Sequence, residues 1–206
     1  MRLFFILLLI ASFLDAGKYN KVKITSEIAY LMVYHKGKAV RVHRIQDIKH
    51  RLTGGYDKIT RMCPGECIQP INVHTGVQTV GEVEVIDFLK NKVSQNKGLI
   101  VDVRPQEFYA RETIPSSVNI PYALHSNTTV IDKLFTTLGM KKQDDNSWDG
   151  SKAIDIMFFC DGLWSDKSSY MIEEFIKRGY PVEKIKYYRG GFQMWKVLGF
   201  TTIKSQ

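Results

Sequence analysis

Ala153-Ile154-Asp155-Ile156-Met157-Phe158-Phe159, followed by Cys160-Asp161-Gly162-Leu163-Trp164-Ser165 and then the stretch Asp166 to Arg178, decides the fold. The first segment is almost continuously apolar, the pattern of a strand buried on both faces of a parallel sheet. The last has apolar residues at helical spacing and predicts an amphipathic helix. Between them a short loop begins with a cysteine. In an open α/β sheet, ligands bind outside the carboxyl ends of the strands. A tight loop there can aim its N–H groups inward, and the following helix adds its positive end, which together make an anion cradle. A thiol in that cradle is expected to have a lowered pKa and to be nucleophilic at neutral pH. The same pattern also fits a buried cysteine that merely finishes a strand.

Outward from this segment the chain alternates in type. Thr79-Val80-Gly81-Glu82 has capping-box spacing, and Val83, Ile86, Phe88 and Leu89 mark a helix ending near Lys92. Gly98 to Val103 reads as a second buried strand. Thr129 to Leu138 reads as a helix closed by Gly139, Lys141 to Gly150 as a polar turn, Ile185 to Tyr188 as a strand, and Gly191 to Leu198 as a last helix. Strands alternating with helices predict a parallel α/β sheet flanked by helices. Residues 18–78 read differently. Ile28 to Tyr34 and Ala39 to Ile45 flank the turn signal His35-Lys36-Gly37-Lys38, which predicts a β-hairpin with one apolar face. Residues 53–78 are rich in breakers and read as loop. One hairpin in about sixty residues makes a poor core of its own, so this β-rich extension is expected to pack on the domain at 79–206.

Three further segments carry a family resemblance. Val101-Asp102-Val103-Arg104-Pro105-Gln106-Glu107-Phe108 with Ile114-Pro115-Ser116-Ser117-Val118-Asn119-Ile120-Pro121 resembles the N-terminal signature of rhodanese domains. Cys160 to Ser165 fits the active loop of that family, and Tyr188-Arg189-Gly190-Gly191-Phe192-Gln193-Met194-Trp195 resembles its closing Gly-Gly-x-x-x-Trp segment. From Thr60 the chain is similar to an extension with Cys-Pro-x-x-Cys found in a subset of exported bacterial rhodaneses. The resemblance implies sulfur transfer: Cys160 as nucleophile and persulfide carrier, with the N–H groups of Asp161, Gly162, Leu163, Trp164 and Ser165 holding the persulfide anion. It implies a small sulfur donor (thiosulfate, polysulfide or persulfide), a thiol or cyanide acceptor, and no metal or organic cofactor.

Departures from the family pattern fall in the loop. Asp161 stands where many catalytic members carry a cation, which weakens the case for dianionic thiosulfate; Lys167 is positioned to compensate from the first helical turn. Ser165 stands where the exported subset often has a second cysteine. The longer Cys-x5-Arg loop of related phosphatases is absent, since Asp166 occupies the arginine's place and would repel a phosphate. Asp102 and Arg104 are expected to form an ion pair that holds the loops near Cys160, with Arg104 also a candidate substrate contact. Trp195 reads as core, and Trp164 as a wall of the pocket.

The chain has 206 residues, 44% of them hydrophobic and 24% charged, which excludes a disordered chain, a collagen or a disulfide-dense miniprotein. Met1-Arg2 and the uncharged run Leu3 to Leu14 read as a cleavable signal peptide ending near Gly17. The run is short for a membrane-spanning helix. Export to the periplasm or exterior is therefore expected, with no membrane span left after cleavage. The net charge of +8 favours anionic partners in general. Without a nucleic-acid motif it reads as a solvated basic face, so no nucleic-acid partner is expected. Three cysteines in an exported chain suggest one disulfide and one free thiol. Cys63 and Cys67 are the candidate pair, either as a structural bridge or as a thiol partner of Cys160. Zinc held with His74 would be one ligand short of a closed site. The rival functions are disulfide exchange between Cys160 and this pair, and a non-catalytic binding module.

Overall fold

A computed structural model describes residues 22–63 and 66–205. The signal-peptide reading of residues 1–17 lies outside them. Among the described residues, no helix is long and apolar enough to cross a membrane.

The chain begins with a hairpin of β1 (Tyr30–His35) and β2 (Lys38–His43). Lys36 and Gly37 both have positive φ (48° and 77°), as a two-residue hairpin turn requires. Leu31, Val33 and His35 point inward and are buried, while Tyr30, Met32 and Tyr34 face out.

Five parallel strands form the main sheet. In chain order they are β3 (Gln78–Val80), β4 (Gly98–Asp102) after α1 (Glu82–Asn91), and β5 (Val118–Asn119) after α2 (Gln106–Arg111). α3 (Thr128–Thr137) and a small antiparallel pair, β6 (Lys141–Lys142) and β7 (Trp148–Asp149), then lead to β8 (Asp155–Phe159). α4 (Lys167–Lys177), β9 (Ile185–Tyr188) and α5 (Gly191–Val197) complete the order. In space the strands run β3-β9-β8-β4-β5, so β8 is central.

All five residues of β8 are buried, because both faces are covered. On one face Met157 and Phe159 pack with Ile86, Phe88 and Leu89 of α1 and with Phe192 and Trp195 of α5. On the other, Ile156, Phe158 and Cys160 pack with Ile131 and Phe135 of α3 and with Met171, Ile172 and Phe175 of α4. Each fully buried side chain of this size contributes roughly 1.5–3 kcal/mol over leaving it exposed. The hairpin joins the first cluster through Leu31, Val33 and Val42, so the extension shares the core of the sheet.

Two local readings are corrected. Thr79 does not cap a helix: residues 78–80 pair with β9 as an edge strand. The helix instead starts after Gly81, whose N–H donates to Glu84 Oε2 at 3.0 Å. The polar stretch 141–150 closes into the β6–β7 pair, turning at Asn146 with φ 66°.

Candidate active site

Parallel pairing brings the strand ends to one edge. Asp102 lies beside Phe159, and Phe159 beside Tyr188. The residues that follow these strands, at 103–104, 160–165 and 189–191, therefore meet at the carboxyl end of the sheet.

The loop after β8 is fixed from three sides. Phe192 N–H donates to Cys160 O and Gln193 N–H to Asp161 O, both at 2.8 Å, so the start of α5 holds the loop carbonyls. Contact is this close because Gly191 has no side chain: a Cβ there would sit 2.6 Å from Cys160 O, and the residue has φ +59°. Ser165 N–H turns back to Gly162 O at 3.0 Å and closes the loop. Leu163 O accepts from Gln69 N–H at 2.8 Å, a contact with the extension. Gly162 leaves room for the Trp164 ring, which a Cβ would meet at 2.5 Å.

Cys160 is a free thiol, 3% exposed. Its Sγ donates to Asp161 Oδ2 at 3.3 Å and lies 2.9 Å from Ser165 Oγ. With the thiol proton directed at Asp161, the Ser165 hydroxyl is left to donate to sulfur. Lys167 Nζ holds the same Asp161 Oδ2 at 2.9 Å. The expected lowering of the thiol pKa is not found. Burial pushes the Cys160 thiol well up, and the Asp161 carboxylate adds to the rise. Lys167, Ser165 and the Asp161 N–H act the other way without winning. Burial alone would lower the Lys167 ammonium, yet the Cys160 and Asp161 charges raise it on balance.

Arg104 is 1% exposed, and four of its five guanidinium N–H groups are bonded within the protein. Nη2 reaches Asp102 Oδ2 at 2.6 Å and Glu112 O at 2.7 Å, Nη1 reaches Tyr56 Oη at 2.8 Å, and Nε reaches Asp102 Oδ1 at 2.9 Å. Asp102, 0% exposed, also accepts from Thr113 Oγ1 at 2.7 Å. Burial pulls the guanidinium pKa down, but the Asp102 carboxylate outweighs it and the net direction is up. The pair thus holds loops together. Trp195 is core: 0% exposed, stacked on Phe200, with Nε1 donating to Thr201 O at 2.8 Å.

Trp164 is largely buried but borders a hollow shared with the extension. It is 8% exposed, and the Arg61 guanidinium lies 3.6 Å from its ring centroid. Arg61, Gln69 and Tyr56 all come from the extension, and the sequence reading missed them. Tyr56 Oη bridges Arg104 to Asp161, 3.5 Å away, and burial pushes its own pKa up. Nothing in their local sequence marks them, because their partners lie from 48 to 105 residues on.

Cys63 and Cys67 are joined as a disulfide with Cα atoms 5.0 Å apart. They line a hollow together with Ile59, Arg61, Ile68 and Trp164. His74 Nδ1 instead lies 2.6 Å from Thr75 O.

The model of the rhodanese-like domain family matches residues 85–198 of the chain. No curated protein matches it. Among solved structures, a rhodanese-related protein from Thermoplasma volcanium is 16% identical, covering 62% of this chain and 99% of its own, with a TM-score of 0.43. A human single-domain sulfurtransferase is 20% identical over 59% of this chain and 96% of its own, with a TM-score of 0.41. A protein from Bacillus halodurans is 18% identical over 58% of this chain and 72% of its own, with a TM-score of 0.43.

Proposed function

The chain belongs to the rhodanese-like domain family, and from that premise we propose that it carries sulfane sulfur as a persulfide on Cys160 and passes it to a thiol or cyanide. The observation that supports this reading is the placement of one free thiol at the carboxyl end of the central strand, inside a closed six-residue loop that leads into α4. Cys160 sulfur attacks the outer sulfur of the donor. The sulfur–sulfur bond of the donor breaks, and its remaining part leaves as a thiolate or sulfite. Asp161 Oδ2 is placed to take the thiol proton, and the Ser165 hydroxyl and the Lys167 ammonium to stabilise the charge left on sulfur.

The charges around Cys160 favour a monoanionic donor. Asp161 and Asp166 oppose the single ammonium of Lys167, so an organic persulfide, with one negative charge, suits the site better than dianionic thiosulfate. The proposal includes export with cleavage near Gly17; the Cys63–Cys67 bridge fits an oxidising compartment. The amino-terminal sequence of protein recovered from its native host tests that part.

The test is the intact mass of reduced protein after polysulfide or thiosulfate, beside a Cys160→Ser control. A gain of one sulfur, removed by cyanide and absent in the control, is the expected result. No gain with either donor overturns the reading and favours a binding module, the alternative that the buried, protonated thiol supports.

A further inference from the structure

The Cys63–Cys67 bridge takes no part in the chemistry above, yet it sits against the loop that does. Arg61, two residues before Cys63, stacks on Trp164 at 3.6 Å. Gln69, two residues after Cys67, donates to Leu163 O at 2.8 Å. The bridge therefore ties together two anchors that both hold the Cys160 loop. Arg189 reinforces the second by donating to Gln69 O at 2.6 Å. Under these contacts Cys160 is 3% exposed. The other side of the same segment is open. Cys63 is exposed, and beside the bridge stand Ile59 at 100%, Met62 at 88% and Ile68 at 73% exposure. An exposed disulfide rimmed by exposed apolar side chains offers a thiolate both an electrophile and a surface to dock on.

We propose that Cys63–Cys67 is an exchange site for a dithiol, and that its reduction releases the Arg61 and Gln69 anchors and admits donors to Cys160. The idea rests on Cys160 being the reacting thiol. One thiolate of the dithiol attacks Cys63 Sγ; the Cys63–Cys67 bond breaks, and Cys67 leaves as a thiolate and takes up a proton. The second thiol of the dithiol then attacks the mixed disulfide. Cys63 is freed as a thiol, and the dithiol departs as a disulfide. Two electrons have passed to the cysteine pair and two from the dithiol.

Cross-linking a five-residue loop restricts its open states by up to about 30-fold in the chain-entropy account. Reduction is expected to raise the rate at which Cys160 is reached by a comparable factor. The experiment compares the full chain in three forms: oxidised, reduced by dithiothreitol, and Cys63→Ser/Cys67→Ser. Each is treated with iodoacetamide, and modification of the Cys160 peptide is followed by mass spectrometry. A rise of about 10- to 30-fold in both the reduced protein and the double variant is expected. Rates within twofold of one another in all three forms overturn the proposal. Persulfide formation from polysulfide, measured on the same samples, separates it from the reading it rests on. Faster alkylation without sulfur uptake in any form sinks sulfur transfer and leaves the gate standing. Equal sulfur uptake by oxidised and reduced protein sinks the gate and leaves sulfur transfer standing.

Discussion

Asp161→Asn tests how the thiol of Cys160 is held in its protonated form. The carboxylate oxygen lies 3.3 Å from Sγ. At that distance two unit charges interact by about 1 kcal/mol in water and about 5 kcal/mol at an effective dielectric of 20. The Asp161 side chain is 15% exposed, so the cost to a thiolate lies between these limits. The variant removes that repulsion and also releases Lys167 from its 2.9 Å ion pair. At a pH below the thiol pKa the thiolate fraction follows this energy, at about tenfold per 1.4 kcal/mol. Alkylation is slow enough for solvent to take the proton, so it reads the equilibrium thiolate and does not need Asp161 as a base; for Cys160 in reduced protein at pH 7 it should therefore quicken by about tenfold or more, with the pH profile moved to lower pH. Lys167→Met, which removes the opposing charge, should move the profile the other way. The assay is the rate of iodoacetamide addition to the Cys160 peptide between pH 6 and pH 10, read by mass spectrometry. An unchanged or upward-moving profile in Asp161→Asn would refute the electrostatic account and leave burial as the sole cause.

Arg104→Met should cost about 3–5 kcal/mol of stability in urea unfolding, because it strands the Asp102 carboxylate at 0% exposure; a loss under about 1 kcal/mol would show that the pair is dispensable. Gly191→Ala should cost about 2–4 kcal/mol and slow sulfur uptake, since the new Cβ strains a positive φ and meets Cys160 O at 2.6 Å; an unaffected thermal midpoint and uptake rate would contradict the contact. His35 is buried, with Nε2 at 2.9 Å from Ser205 Oγ and Nδ1 accepting from Ser116 N–H at 3.2 Å, and desolvation lowers its pKa, helped by Lys36. Its contribution is therefore present above the unfolded histidine value of about 6.5 and is lost as pH falls from there through the lower folded value. Urea midpoints of wild type should drop below pH 6.5 more steeply than those of His35→Gln, and parallel curves would discount the residue.

The parallel sheet could be read from the sequence because its signals are local. A five-residue buried strand, a turn and an amphipathic helix around Cys160 each announce themselves within a dozen residues. The edge strand at 78–80 did not, since three residues carry no period and Thr79 mimicked a cap. The state of the thiol was misjudged for a physical reason. Loop N–H groups and a helix start argue for a thiolate, but desolvation at 3% exposure and a neighbouring carboxylate outweigh them, and burial is a tertiary property. Tyr56, Arg61 and Gln69 were illegible for the same reason: the Tyr56–Asp161 contact spans 105 residues, and no pattern within a loop reports that it will lie on another loop.

Burial and charge in this site are better understood together than apart. A protonated Cys160 beside an ionised Asp161 and Lys167 carries a net charge of zero in the group. Moving the thiol proton onto Asp161 Oδ2 leaves that sum unchanged, because the negative charge passes from oxygen to sulfur while the ammonium stays. Lys167 already touches the oxygen that would receive the proton, so neutralising that oxygen weakens the ion pair and releases the ammonium for the sulfur. The enclosed site is therefore never asked to hold an uncompensated charge, which is the arrangement that burial penalises most. The same logic limits what can enter. A donor that brings one negative charge disturbs the balance by one unit; a dianion disturbs it by two, with no arginine in the loop to answer it.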